Sequence, residues 1–299
     1  MERSFYEPEE RCQYYVSSEI KKLWKAEIDC FLELQRICEK HGIKYYACGG
    51  TLLGAIRHQG FIPWDDDMDV FMLEEDYYKL LSVAPKEIKA PYFFQSFETQ
   101  PGFGPSMSRI RNSDTTACTQ FEYDLADKDY NCGIFIDIFP LTSVSSSPFA
   151  RKVRQFKITM YRAAIAGYEK LHKRQLNDKH GGLNPLILYW KIWSLFSTHT
   201  KISQKYLRAC SNGDNNSEYV GLVPFFGFQE KFIFRRSWFE ETIDFPFEYV
   251  RITCPAGYDE ILKHWYGDYM VFKKGTAIHS MTLFDADVPY KEKLKDRYN

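Results

Sequence analysis

The chain has no apolar run approaching the roughly 20 residues that a membrane-spanning helix requires. Its longest candidate, LILYWKIWSLF, is interrupted by Lys191. The N-terminal MERSFYEPEERC is polar and acidic and carries no apolar signal segment, so a cytoplasmic protein is expected, with residues 1–15 as a leader. Charge of one sign is missing too. Lysines and arginines number 39 against 40 aspartates and glutamates, a formal net charge of −1. That balance argues against a dedicated nucleic-acid binder, which carries a strongly basic surface. The eight cysteines include no C-x-x-C pair, which removes zinc-ribbon spacing. In a reducing compartment they read as free, mostly buried thiols. Internal repeats and low-complexity segments are absent.

What is present is concentrated between Tyr45 and Leu73, in YYACGGTLLGAIRHQGFIPWDDDMDVFML. The pattern predicts a short strand, a Gly49-Gly50 turn, a helix over 51–58, and a second strand over 67–73 that carries carboxylates. Glycine lets a ligand approach the main chain closely, and the N–H groups that open a helix favour phosphate. Gly49, Gly50 and Thr51 are therefore the expected phosphate cradle. Asp65, Asp67 and Asp69 share parity, so an extended chain turns them to one face. Carboxylates gathered in apolar surroundings are costly. A hard cation removes that cost, and Mg²⁺ is commonly held by one or two carboxylates together with substrate phosphates. A solvated acidic turn and a calcium loop are the alternatives. The second is disfavoured because Val70 to Leu73 are apolar where an EF-hand loop should turn.

Other residues in and beyond this stretch have two readings each. Arg57 and His58 close the short helix, where they meet either a diphosphate leaving group or the helix C-terminus itself. Trp64 either stacks on a base or cationic head group or packs against the turn. Arg109 and Arg111 share a face if 107–111 is a strand. Arg109 then reaches a phosphate, or both point to solvent from a sheet edge. Asp137 stands alone in the apolar run GIFIDIF, and an ionised carboxylate is not buried unpaired. It completes a metal site with a neighbouring strand, or it pairs with a lysine or arginine.

Along the chain, helical spacing of Ile20, Leu23, Trp24, Ile28, Phe31, Leu34 and Cys38 predicts a scaffold helix ended by Gly42. Between Pro148 and Lys179, nine basic residues face two acidic ones. Val153, Phe156, Met160, Ala164 and Leu171 mark an apolar stripe, giving a basic amphipathic helix. This helix, 151–179, is open to peripheral contact with an anionic membrane or a charged glycan, or it simply presents a solvated face. A second helix is expected over 185–209. The expected organisation is a catalytic core over 16–147, a helical subdomain over 148–217, and a C-terminal part, 218–299, that completes the core. The last residues, from Asp285, are expected to be polar and mobile.

GGTLLGAIRH and GFIPWDDDMDV, followed by GIFIDIFPL and YGDYM, resemble the LicD family of phosphocholine transferases. That family is related to the fukutin-type phosphotransferases and, through them, to polymerase-β-type nucleotidyltransferases. The resemblance runs from about Ile28 to His279. It implies an α+β fold, a nucleotidyltransferase-like mixed sheet flanked by helices. It also implies Asp67, Asp69 and Asp137 as catalytic residues holding Mg²⁺, with Mn²⁺ as a substitute. The donor implied is CDP-linked, CDP-choline or similar, and its phosphorylated head group passes to a hydroxyl of a cell-surface glycan or glycolipid as CMP is released. His279 matches, by order, a histidine that follows the YGDYM segment as it closes over the site. A nucleotidyltransferase releasing pyrophosphate would use the same turn and acids. A non-catalytic glycan- or nucleotide-binding module is the remaining alternative, and the intact acids count against it.

Overall fold

The computed structural model describes residues 5–119, 122–123, 129–171, 197–273 and 281–298. A hairpin of β1 (Glu9–Arg11) and β2 (Tyr14–Val16) leads into the long helix α1 (Ser18–His41). The Ser17 hydroxyl accepts from the Ile20 N–H at its start, and Gly42 ends it at φ 58°. Its apolar stripe is buried as the spacing predicts: Leu23, Trp24, Ile28, Phe31 and Leu34 are fully covered. Next come β3 (Tyr46–Ala47), α2 (Gly49–His58), β4 (Asp69–Leu73) and α3 (Glu74–Glu87). Then follow β5 (Tyr92–Gln95), β6 (Ser108–Asn112), β7 (Thr116–Thr119) and β8 (Ile134–Val144). Helices α4 (Pro148–Leu171) and α5 (His199–Cys210) precede β9 (Tyr219–Gly221), the short α6 (Val223–Phe226) and β10 (Ile233–Arg235). The chain continues through β11 (Thr242–Phe247), β12 (Val250–Pro255) and α7 (Tyr258–Tyr266). It closes with β13 (Met281–Asp285), α8 (Tyr290–Lys293) and α9 (Lys295–Tyr298).

The fold is α+β, a mixed sheet flanked by helices, and β8 is its spine. The first half of β8 pairs antiparallel with β6, its middle pairs parallel with β4, and its last residues pair antiparallel with β9. β3 extends the sheet beyond β4, β5 beyond β6, and β10 beyond β9. The parallel β4–β8 pair is buried on both faces, which is why VFML and IFI read as nearly continuous apolar runs. Among the described residues no helix is long and apolar enough to cross a membrane.

Several expectations are corrected. The segment read as a leader holds the β1–β2 hairpin, with Arg11 forked onto Glu248 and Lys21 paired with Glu9. Helix α2 begins at Gly49, so the double glycine is its first turn rather than a turn before it. β6 lies inside the sheet, and Arg109 and Arg111 are both buried instead of facing solvent. The end of the chain is pinned: β13 pairs with β7, and Tyr290 and Leu294 are buried. On α4, Ile158 and Ala164 are buried, while Val153 and Phe156 of the apolar stripe are exposed. The predicted helix over 185–209 falls partly outside the described residues and is observed over His199–Cys210.

Candidate active site

The glycine corner and the acidic loop are tied together before any side chain reaches the cleft. The Cys48 N–H donates to the Asp69 carbonyl at 3.2 Å, and the Thr51 hydroxyl accepts from the Asp69 N–H at 2.8 Å. From behind, Trp24 of α1 stacks on Phe61 and donates its indole N–H to the Asp65 carbonyl at 2.9 Å. Gly49 adopts φ +53°, a region that L side chains enter at a cost. A Cβ on Gly50 would stand 2.3 Å from Asp65 Oδ2, and one on Gly49 would stand 3.7 Å from Asp69 Oδ2. Both carboxylates therefore rest against the corner, and no side chain caps the helix N–H groups there.

Asp69 and Asp137 face each other in register on the parallel strands β4 and β8. The Arg109 Nε donates to Asp137 Oδ1 at 2.6 Å, its Nη1 donates to Glu122 Oε1 at 2.5 Å, and its guanidinium lies 3.8 Å over the Phe135 ring. Arg111, fully buried, reaches the same Glu122 oxygen. Burial works against the charge of Arg109, but Asp137 and Glu122 outweigh it and its pKa rises. With both carboxylates engaged, Arg109 orients Asp137 and is not presented as a phosphate-binding fork.

Burial, reinforced by Asp67, Asp137 and Asp65, pushes the Asp69 carboxyl well above the ordinary range, with Arg109 opposing. Its Oδ1 is buried and has no hydrogen-bond partner among the described residues. A buried, unpartnered carboxylate oxygen among other carboxylates is the condition that a hard cation relieves. The all-oxygen donor set of Asp67, Asp69 and Asp137 fits Mg²⁺. Among the described residues, the group of three acids whose carboxylates all approach within 4.8 Å of one another is Asp65, Asp66 and Asp67, in the loop that leads into Asp69.

Glu27 is a member of this cluster that the sequence reading missed. It sits on α1 among the stripe residues, four after Leu23 and four before Phe31. A charged residue at a core position was the available signal. Both of its carboxyl oxygens are buried without a partner. Burial, then Asp67, Asp66, Asp65 and Asp69, push its pKa well upward.

The acids floor one side of a cleft of about 400 Å³ that Cys48, Gly49, Gly50, Trp64 and Asp65 also line. Burial and the neighbouring acids raise the Cys48 thiol's pKa, which favours the neutral thiol over the thiolate. The other wall is aromatic and comes from far along the chain: Phe139, Phe225, Phe226 and Trp265, the last stacked 6.0 Å from Phe71. Arg57 and His58 do not line the cleft. Arg57 donates to the Tyr269 carbonyl and to His58 Nε2, and lies over the Phe272 ring. His279 lies outside the described residues.

The likeness to known proteins falls on this geometry. A family model described as LicD/FKTN/FKRP, nucleotidyltransferase domain, matches residues 42–159, a span that holds the glycine corner, the acidic loop, Arg109 and Asp137. The lipopolysaccharide cholinephosphotransferase LicD of Haemophilus influenzae is 31% identical over 242 residues, covering 78% of this chain and 84% of that protein. Human ribitol 5-phosphate transferase FKRP is 48% identical over 40 residues, 13% of this chain and 8% of its own. An uncharacterised Rickettsia prowazekii protein is 44% identical over 54 residues, 18% and 20% of the two chains. The likeness to the Haemophilus protein extends over most of both sequences and the glycine corner sits among acids on two paired strands; the chain belongs to the LicD family.

Proposed function

We propose that this protein is a Mg²⁺-dependent transferase, acting in the cytoplasm, that moves phosphocholine from CDP-choline to a hydroxyl of a glycan or glycolipid. The observation that carries the reading is the buried, unpartnered Asp69 oxygen beside Asp137, at the foot of a cleft with an acidic floor and an aromatic wall. Its relatives' activities, on lipopolysaccharide in one and with ribitol 5-phosphate in another, support the same class of chemistry.

Asp67, Asp69 and Asp137 would hold the metal, which supplies neutralisation of the donor diphosphate when bound. The N–H groups of Gly49 and Gly50 hold phosphate oxygens at the start of α2. The acceptor oxygen attacks the phosphorus that bears choline, and the bond from that phosphorus to the CMP oxygen breaks. CMP leaves with that oxygen, and the hydroxyl proton passes to a carboxylate of the floor. Arg109 keeps Asp137 turned into the cleft throughout. Aromatic faces attract a quaternary ammonium through their quadrupole, so the wall of Phe139, Phe225 and Trp265 suits the choline end. Trp64 and Asp65, at the corner, are assigned to the donor.

Incubation with CDP-choline, Mg²⁺ and a glycan acceptor should release CMP. Pyrophosphate release from a nucleoside triphosphate, without CMP from CDP-choline, would identify a nucleotidyltransferase instead.

A further inference from the structure

Over its first turns helix α4 directs arginines inward and phenylalanines outward. Arg151 donates to the Ser145 carbonyl at 2.6 Å and to Glu230 at 2.8 Å, and Arg154 to the Ser211 carbonyl. Arg162 reaches the Pro224 and Phe225 carbonyls. Ile158 is buried on the same side. Opposite them stand Phe149, Val153 and Phe156, which are 77%, 42% and 67% exposed. Steps of four and three residues align these three along the helix axis. At 100° per residue, Lys152 falls to one side of that line and Lys157 to the other. Both lysines are exposed, and neither has an acidic partner among the described residues.

We propose that this outer face of α4 docks on an anionic lipid surface. An exposed apolar line flanked on both sides by lysines matches an interfacial helix, whose rings enter the acyl boundary while the cations meet lipid phosphates. A protein partner would have to cover two phenylalanines and also neutralise cations on both sides; a bilayer bearing anionic head groups does both. The position is also apt. Through Arg162, α4 holds the turn that carries Phe225, which lines the cleft and is itself 41% exposed. Docking would bring the rim of the cleft to the membrane.

The test is sedimentation of the full chain with vesicles of phosphatidylcholine alone and of phosphatidylcholine mixed with phosphatidylglycerol. It reads no turnover, so its outcome is independent of what the cleft transfers. Binding should appear with the anionic vesicles, weaken with salt, and fall about fivefold for each of Lys152→Gln and Lys157→Gln. Phe149→Ser with Phe156→Ser should abolish it while leaving the thermal midpoint unchanged. Equal binding by that double variant, or no binding by the parent, overturns the proposal. So does a large loss of stability in the double variant, which would mean that the face is packed within the protein. Sedimentation of the parent as a dimer that the double variant loses would assign the face to self-association and overturn it as well.

Discussion

Asp69 stands where folding and function want opposite things. Its carboxyl is buried beside Asp67 and Asp137, and its Oδ1 has no partner. Asp69→Asn removes a charge that the fold resists, so in chelator it should melt above the parent while CMP release from CDP-choline disappears. Asp67→Asn should also abolish release. Near-full turnover by either variant would break the metal assignment. The pairing of Arg109 with Asp137 and Glu122 makes a second test. Glu122→Gln keeps the shape but weakens the hold on Arg109, and loss of a group that orients a ligand typically costs 10- to 100-fold in activity or metal affinity. The fall should appear in kcat with the fold intact by circular dichroism. Arg109→Ala takes the cation from Asp137 and leaves Glu122 to Arg111 alone, and should destabilise by about 3–5 kcal/mol. His58 supplies the pH dependence. Burial, then Arg57 and Arg11, lower its pKa from 6.5 to about 4, and its Nε2 accepts from Arg57, which requires the neutral ring. A base whose pKa is depressed by folding contributes stability in full above pH 6.5 and loses it as pH falls toward 4. The thermal midpoint should drop across that window, and His58→Gln should remove that part of the drop.

At the scale of elements, α2 is held too tightly to shift. A Cβ on Gly54 would lie 2.4 Å from the Gly60 carbonyl oxygen, a backbone atom that has no rotamer with which to retreat. Gly54→Ala should therefore cost about 1–3 kcal/mol as overpacking, measured by urea unfolding. Gly50→Ala meets only the Asp65 carboxylate. It should cost less stability and more activity, because the proposed phosphate cradle and the acidic loop are displaced together. Helix α4 teaches a different lesson. Its apolar stripe was legible from spacing, yet spacing is indifferent to which side is covered. Arg151, Arg154 and Arg162 found carbonyls and Glu230 on the inner side, and the phenylalanines were left outside.

For the molecule as a whole, the far end of the chain belongs to the fold. β13 pairs with β7, Thr116 donates its hydroxyl to the Val288 carbonyl, and Leu294 is buried with Tyr290 around Cys118 and Cys132. Leu294→Ala should cost about 2–5 kcal/mol, visible as a lower denaturant midpoint, although the residue lies outside the cleft. Much of the site was legible from residue order alone. The glycine corner, Asp65, Asp67 and Asp69 fall within one short stretch, the start of α2, the loop after it and the first residue of β4, where spacing translates directly into geometry, and a lone Asp137 in an apolar run demanded a partner. Residue order also marked α1 and the Gly42 that ends it. Only the folded sheet decided the rest. It set β4 beside β8 so that Asp69 meets Asp137, turned Arg109 onto Asp137 rather than toward a substrate, and brought Phe225, Phe226 and Trp265 across to wall the cleft. Local backbone preferences act over a few residues and can be read in line. Pairing between strands and burial between distant segments are settled by which surfaces exclude water together, and a linear pattern carries no record of that.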